Sequence, residues 1–467
     1  MIQKLAPACS SPQALARARR HLLSHLVCFG RHTITGLLRL QDRTQEDWTA
    51  DYRFYAQEHF DEDKVFDLLR TELQEQLAQD APLVAAMDDS LLRKTGSKIS
   101  GVRYLRDPMS PPFHVNFVRG LRILQISAAV PQGAKGAARL IPIDFRHAPL
   151  PPKPRKNAPA AVQEAYQQER AKKNINLVGR ERLAFLRQQM DQSASAHRQL
   201  IVSMDGRFTN ATVLRQIPQR TTLIGRVRKD SRFFHPPQEQ PQLGRKRKYG
   251  ARCPTPQELL RDETVPWQKV EAYAAGQRYT FEVKTLSPVY SAMDKAQKPV
   301  RLVVVRPVRY HLTKTKTDRR EPAFLICTDP NLPLEEVLQY YLWRWDIEVN
   351  FRDEKTILGV GQAQVRSDAS NQKAPALAVV AYALLLLAAH KAYGAEGKPE
   401  TFKNPRWDKH KGTKRASTND LRNQTRYELW ASALRSNFRP LCSPPSQDQN
   451  GRKCDLPLDS ALFHSIR

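Results

Sequence analysis

Tyr341, Arg344, Glu348 and Lys355 lie in one aromatic and charged stretch, YYLWRWDIEVNFRDEK, which spans residues 340–355. In a continuous helix, at about 100° per residue, these four side chains share one narrow stripe. The stripe brings together a phenol, a guanidinium, a carboxylate and an ammonium group. Four such groups on one stripe could be solvated surface charges or parts of a chemical site.

The stripe has two interpretations. In the first, the helix is a solvated surface element, and Arg344 and Glu348 form an i, i+4 ion pair that contributes only a few tenths of a kcal/mol. In the second, the stripe lines a cleft, because Trp345 and Phe351 flank it where a water-facing side would normally be polar. Both interpretations place the remaining polar residues on an opposite, solvated face: Asp346, Asn350 and Asp353.

Two further acids favour the cleft. Asp89, or its neighbour Asp88, ends the apolar run PLVAAMDDS, and Asp205 ends the run RQLIVSMDGRF. An aspartate at a strand end is usually a turn former, so each one alone indicates little. Together with Glu348, however, they give three carboxylates, which could hold two divalent cations for phosphoryl transfer. Carboxylate oxygens are the ligands that hard cations such as Mg²⁺ prefer.

The charge of the chain indicates a polyanionic partner. Its 467 residues include 75 Lys and Arg against 47 Asp and Glu, for a formal net charge of +28 and a pI near 10.0. A protein with this excess gains affinity for nucleic acid from the release of counterions. Basic segments near residues 245–248 and 314–320, and a basic tail, are candidates to meet phosphates.

Cysteine spacing and hydropathy exclude several other classes. The six cysteines are scattered without a C-x-x-C pair, so neither a zinc ribbon nor a disulfide framework is expected. The N-terminus has no basic-then-apolar signal arrangement. The apolar run at residues 374–390 is shorter than the roughly 20 residues that a bilayer needs, and it predicts a helix buried in a large core. A cytoplasmic protein is therefore predicted.

Changes in helical pattern, strand pattern and charge along the sequence divide the chain into five predicted segments of an α/β protein. Residues 1–80 form a helical N-terminal module, with Thr33 and Asp61 as helix caps; it could bind DNA or pack on the catalytic core. Residues 81–230 are the first part of a core with strands, and residues 326–395 are its second part. A β-rich insertion at residues 231–325 separates the two parts, and residues 396–467 form a basic C-terminal tail.

The order of these elements and acids resembles the DDE transposases of bacterial insertion sequences. Tyr341, Arg344, Glu348 and Lys355 match the Y-x2-R-x3-E-x6-K signature of one group without a gap. The stretch DDSLLRKTGSKISGV resembles the first-Asp motif, with Ser90 where a threonine is usual, and MDGRFTN resembles the second-Asp motif. The resemblance covers about residues 25–390.

The resemblance implies an RNase H-like catalytic domain, a mixed sheet flanked by helices, interrupted by the β-rich insertion. It implies a transposase that cleaves the ends of an insertion sequence and transfers the strands into a target. Two Mg²⁺ ions, with Mn²⁺ as a substitute, would be the cofactors. Double-stranded DNA, as terminal inverted repeats and target, would be the partner, bound by a homodimer in the synapse. The protein would be bacterial, cytoplasmic and associated with the nucleoid.

The resemblance also implies roles for individual residues. Asp89, chosen over Asp88 because the matching position precedes the hydroxyl residue, would bind the metals with Asp205 and Glu348. The DNA phosphate beside the scissile bond would be held by Tyr341, Arg344 and Lys355. Trp267 is a candidate to stack on a flipped base, although it could equally pack within its own β-rich segment.

Two other functions stay open on the sequence alone. A transposase-derived protein could bind terminal repeats without catalysis, since a sequence does not show metal occupancy. Another RNase H-like nuclease, such as a resolvase, is a weaker alternative, because the stripe of Tyr341, Arg344, Glu348 and Lys355 and the β-rich insertion argue against it.

Overall fold

The structure is a computed structural model, and its described residues form two compact units. It describes residues 1–107, 110–111, 113–133, 136–238, 247–293, 298–311, 317–395, 397 and 415–437. The first unit, the helical unit, comprises Met1–Leu69, Gly96–Ser100 and the described residues from Arg352 onward. The second, the sheet unit, comprises Arg70–Thr95 and Gly101–Phe351.

Twelve α-helices are present in the described part of the chain, after a 3₁₀ helix at Ile2–Ala8. In chain order they are α1 Pro12–Val27, α2 Ile34–Leu40, α3 Thr49–Ala56, α4 Glu62–Gln74, α5 Ala160–Lys172, α6 Ile175–Asp191, α7 Ala211–Leu214, α8 Pro256–Arg261, α9 Leu334–Trp343, α10 Trp345–Thr356, α11 Asp368–Tyr393 and α12 Thr418–Asn437.

The same part of the chain contains thirteen strands. They are β1 Leu83–Arg93, β2 Arg103–Arg106, β3 Phe117–Pro131, β4 Ala138–His147, β5 Leu200–Met204, β6 Thr221–Arg226, β7 Phe233–Phe234, β8 Gln268–Ala274, β9 Gln277–Ser291, β10 Pro299–Val305, β11 Arg309–His311, β12 Thr317–Arg319 and β13 Ala323–Cys327. The chain is thus a mixed α/β protein.

Eleven of the strands form one sheet in the sheet unit. Its main path is β2-β3-β1-β5-β6-β13-β10-β9-β7, and β4 and β8 pair with β3 and β9 beside this path. The pairs β1–β5 and β5–β6 are parallel, whereas the other pairings are antiparallel. The β-rich sequence predicted at residues 231–325 does form strands, and β9 and β10 continue the main sheet through β13.

The parallel centre of the sheet follows from continuous apolar sequence. All five residues of β5, LIVSM, are buried, as expected for a strand that is covered on both faces. Helix α9 packs on this centre and contacts β1, β5 and β6. The hydroxyl of Ser203 in β5 donates a hydrogen bond of 3.0 Å to the carbonyl of Tyr340 in α9. One face of the central strands therefore faces α9.

The helical unit is built around α11. Its buried apolar residues contact α1 and α3, and α12 packs on both α1 and α11. The predicted caps are confirmed: Thr33 accepts the backbone N–H of Gly36, and Asp61 accepts that of Lys64. Among the described residues α11 alone is long and apolar enough to cross a membrane, but 72% of its most apolar window is buried in the protein. That burial fits the predicted core helix.

Several predicted basic segments lie wholly or partly outside the described residues. Residues 245 and 246 of one loop, residues 314–316 of the other, and most of the tail from residue 398 belong to these parts. Within the tail, residues Thr418–Asn437 form helix α12. The boundaries of the five predicted segments stay predictions.

Candidate active site

Strand register places two aspartates side by side on one face of the sheet. Strands β1 and β5 are parallel, with Met87 opposite Met204, so Asp88 follows beside Asp205 at the next position. Ala86 lies opposite Ser203, whose hydroxyl contacts α9. Because side chains alternate along a strand, Asp88 lies on the same face as Ala86, the face that α9 covers. Asp89 projects to the opposite face.

The predicted continuous helix is broken at Arg344. Helix α9 follows Pro333, with Glu335 and Glu336 in its first turn, and it ends at Trp343. The N–H of Arg344 donates to the carbonyl of Tyr341 at 3.2 Å, and the Arg344 carbonyl accepts from Ile347 at 3.1 Å. These i, i+3 bonds tighten the turn before α10 begins. A helical wheel does not foresee this interruption.

Arg344 joins two carboxylates of the sheet unit. Its Nη1 lies 3.1 Å from Oδ2 of Asp88, and its Nη2 lies 3.1 Å from Oε1 of Glu348. The Arg344 side chain is only 12% exposed, whereas Glu348 is 40% exposed. The guanidinium carbon also lies 5.8 Å from the ring centroid of Tyr341. The structure thus brings together Tyr341, Arg344 and Glu348 of the predicted stripe, and it adds Asp88.

Asp89 has a different partner. Both of its carboxylate oxygens accept hydrogen bonds from Nη1 of Arg207, at 2.9 and 2.7 Å. Oδ1 of Asp205 accepts the backbone N–H groups of Arg207 and Phe208, at 2.9 and 3.3 Å, which fixes the loop after β5. The sequence reasoning missed Arg207, although its position two residues after Asp205 in MDGRF was a signal.

Burial and neighbouring charges shift the pKa values of the acids. Burial, together with the negative charge of Asp205, raises the pKa of Asp88 to about 7, although Arg344 opposes the shift. Burial also raises the pKa of Asp89, while Arg207 counteracts it. Burial alone would lower the pKa of Arg344, yet Tyr341, Asp88 and Glu348 hold it above its usual value. Asp88 and Glu348, which are both partly exposed, therefore share one guanidinium, and Asp88 has the negative charge of Asp205 beside it as well.

A hard divalent cation fits the chemistry of these donors. A cation beside Asp88 would favour its charged form, which burial and the negative charge of Asp205 disfavour. In the described part of the chain, no three His, Cys, Asp or Glu residues are arranged to hold an ion as they stand. Between Asp88 and Glu348 lies the guanidinium of Arg344 instead.

The prediction of a solvated opposite face on the second helix is wrong for two residues. Asn350 is 2% exposed and donates from Nδ2 to the carbonyl of Leu140 at 3.0 Å. Asp353, in the helical unit, is 4% exposed and accepts a hydrogen bond of 2.6 Å from Thr418. Trp345, by contrast, is 58% exposed. Tertiary packing covers the polar face because its amides and acids find buried partners.

The contacts that join Asp88 to Glu348 do not include two predicted site residues, Lys355 and Trp267. Lys355 lies seven positions after Glu348 in α10, beyond the end of the sheet unit, and its phosphate contact stays a prediction. Trp267 is half-buried, with the Lys284 ammonium 4.5 Å and the Arg306 guanidinium 5.4 Å from its ring centroid. These cation–π contacts favour packing, and base stacking by Trp267 stays a prediction.

Comparison with known proteins gives the family. The family model described as DDE superfamily endonuclease matches residues 5–285, more than half of the chain. No curated protein matches the sequence. The matched region contains Asp88, Asp89 and Asp205 but ends before Glu348, so the helix signature lies outside it. The chain belongs to the DDE superfamily of endonucleases.

Proposed function

We propose that the protein is a DNA transposase that cleaves the ends of an insertion sequence and transfers the strands into a target by cut-and-paste transposition. The observation that supports it best is that Asp88 and Asp205 each follow the last register pair of two parallel strands, Met87 and Met204, with Glu348 joined to Asp88 through Arg344. These three carboxylates are the set that we propose for a DDE superfamily endonuclease. This arrangement suits an RNase H-like catalytic domain.

The proposed metal ligands are Asp205, Glu348 and one member of the aspartate pair. Sequence resemblance selects Asp89, whereas strand register favours Asp88, because Asp88 shares a face with Asp205 and contacts the arginine that holds Glu348. When bound, a pair of Mg²⁺ ions would lower the pKa of the attacking water or 3′-hydroxyl and stabilise the leaving oxygen; Mn²⁺ is an expected substitute. The carboxylates would also orient the reacting strand end.

Three further side chains are proposed to hold the DNA phosphate beside the scissile bond. The guanidinium of Arg344 is planar and can donate two hydrogen bonds to a phosphate. Its present partners are the carboxylates of Asp88 and Glu348, which a bound cation would engage instead. Tyr341, whose pKa is raised by burial, keeps its phenol protonated as a hydrogen-bond donor. Lys355 would add a mobile charge from the end of α10.

The proposed partner is double-stranded DNA, both the terminal inverted repeats and the target. The net charge of +28 supports a polyanion, and the family of endonucleases supports DNA. A homodimer in the DNA-bound synapse and a bacterial cytoplasm with nucleoid association complete the proposal.

The test is Mg²⁺-dependent cleavage of DNA that carries the inverted repeats found in the flanking genome. Asp205→Asn and Glu348→Gln should abolish cleavage while a gel shift shows binding within about threefold. Asp88→Asn and Asp89→Asn decide the first ligand: the true ligand should lose at least about 1,000-fold in rate, on the scale of lost transition-state stabilisation. Cleavage by Glu348→Gln at the unmodified rate would refute the site. Binding without cleavage by the unmodified protein would favour the alternative function, a transposase-derived protein that binds DNA without catalysis.

A further inference from the structure

A hairpin of the sheet unit exposes aromatic and basic side chains in alternation. Strand β2 pairs with the first residues of β3, with Tyr104 opposite Arg119 and Arg106 opposite Phe117. Residues directly opposite in an antiparallel pair project to the same side. These four side chains therefore form one surface, the hairpin face. On it each aromatic side chain has one arginine across the pair and another two residues along its own strand.

The aromatic side chains of the hairpin face are unusually accessible. Tyr104 is 71% exposed and Phe117 is 64% exposed. The Arg119 guanidinium lies 5.8 Å from the centroid of the Tyr104 ring, and its Nη1 donates to the carbonyl of Thr95 at 3.2 Å. Grouped exposed aromatics with a polar rim mark binding surfaces in soluble proteins, whereas single exposed apolar residues do not. The hairpin face has grouped aromatic side chains with arginines beside them, as such binding surfaces do.

The hairpin face lies on the same side of the sheet as the candidate active site. Strand β1 pairs with β3 so that Asp88 is opposite Gln125. Because Gln125 and Arg119 are an even number of residues apart in β3, they project to the same side. Six residues at about 3.3 Å each separate them by about 20 Å, which matches about six nucleotides of a B-form strand. A strand entering the site could pass over this face.

The chemistry of the hairpin face selects unpaired bases. In an intact duplex the base faces are stacked on one another, and only phosphates and groove edges are accessible from outside. Exposed aromatic rings on a sheet, separated by arginines, offer bases a stacking partner and phosphates a counter-charge. A second copy of this chain fits less well, because its surface would carry the same excess of positive charge.

We infer that the hairpin face binds unpaired bases of the DNA strand that leads to the candidate active site. Tyr104 and Phe117 stack on bases, while Arg106 and Arg119 contact the adjoining phosphates. The inference rests on the proposed function for its partner, because it takes the polyanion to be DNA. The inference adds to the proposed function a preference for DNA ends that are frayed, nicked or already cut.

The experiment measures affinity of the full chain, in EDTA, for two labelled DNAs of equal duplex length. One is blunt, and the other carries a single-stranded overhang of about eight nucleotides with 2-aminopurine in it, long enough to span the distance above. The double variant Tyr104→Ala/Phe117→Ala should bind the overhang DNA about 10–100-fold more weakly, the range expected for one to two lost base stacks. Its affinity for blunt DNA should change less than about twofold, and the 2-aminopurine quenching seen with the unmodified protein should disappear.

The matched control is Val162→Ala, which shortens an apolar side chain that is 48% exposed in α5 of the sheet unit. It should leave both affinities unchanged. Equal losses of the double variant on both DNAs, or no loss on either, would overturn the inference; so would a change from dimer to monomer by light scattering without DNA, which would assign the face to a second copy. In these cases, cleavage by the unmodified protein shows that the proposed function survives. If the unmodified protein binds neither DNA, both proposals fail.

Discussion

Each unit of the protein buries an aspartate, but the two are in opposite electrostatic situations. In the helical unit, Asp51 is fully buried; its Oδ1 lies 2.8 Å from Nε2 of His21 and 3.3 Å from Nε of Arg17. The hydroxyl of Tyr55 lies 3.1 Å from the other nitrogen of His21. Although burial opposes it, these donors hold the pKa of Asp51 below its usual value.

In the sheet unit, Asp88 has an acid as its neighbour. Burial and the charge of Asp205 raise its pKa to about 7, and one shared guanidinium from Arg344 is not enough to reverse the shift. The comparison teaches how to separate two kinds of buried acid. An acid whose neighbours are donors stabilises the fold, whereas an acid beside another acid is a candidate to bind a cation or take part in a reaction.

The largest effect is expected from removing Asp51, the buried aspartate of the helical unit. Asp51→Ala should lower the free energy of unfolding by about 3–5 kcal/mol, because it leaves His21 and Arg17 without their buried partner. Urea unfolding followed by circular dichroism measures it. The control Glu46→Ala removes an exposed partner of Arg43 and should cost less than about 1 kcal/mol. A loss for Asp51→Ala as small as that of the control would contradict the structural role.

The next effect concerns the arginine at the acids of the sheet unit. Arg344→Ala should slow cleavage about 100-fold, the cost of misplacing a strand end by about 1 Å, with DNA affinity within about threefold. Single-turnover cleavage at saturating protein measures it. Arg207→Ala, which frees Asp89 on the other face, should cost less than about tenfold if Asp88 is the ligand. A larger loss for Arg207→Ala than for Arg344→Ala would move the site to the face of Asp89.

The smallest effect is a pH dependence in the helical unit. Burial, with the charges of Arg422 and Arg426, lowers the pKa of His32 to about 4, so the folded state holds it neutral. The unfolded chain binds the additional proton below about pH 6.5, so this stability is present above that pH and is lost as the pH falls toward 4. From pH 7.5 to 5, His32 should account for a loss of about 2 kcal/mol in the free energy of unfolding.

The variant His32→Gln tests this effect, because it should lose about 2 kcal/mol less than the unmodified protein over that pH range. Urea midpoints at both pH values measure the difference. His25, whose Nδ1 lies 3.4 Å from Nδ1 of His32, is also buried and should continue to contribute in the variant. An identical pH dependence in both proteins would show that folding does not lower the pKa of His32.

Local sequence predicted much of the fold because its signals act over short distances. Thr33 and Asp61 cap helices through backbone groups three residues away, and the continuous apolar run of β5 predicted a buried strand ending at Asp205. The long apolar run predicted the core helix α11 for the same reason. These features need no knowledge of distant residues.

The candidate site was less predictable because it depends on tertiary contacts. The interruption at Arg344 and the burial of Asn350 come from packing partners such as Leu140, 210 residues earlier in the chain. The choice between Asp88 and Asp89 depends on which residues of β5 lie beside β1, and that register is not encoded in the motif itself. The Leu140 carbonyl and the Thr418 hydroxyl are partners of Asn350 and Asp353, two residues that a helical wheel assigned to solvent.

The consecutive acids of β1 also bear on how this strand tolerates insertion and deletion. A deletion of one residue upstream in β1 would bring Asp89 to the place now taken by Asp88, beside Asp205, while neighbouring pairs shift by one position. A strand with only one aspartate would lose its carboxylate from that face by the same event. The doubled acid therefore keeps an aspartate beside Asp205 after such a deletion, although the residues of β1 that follow would turn to the opposite face.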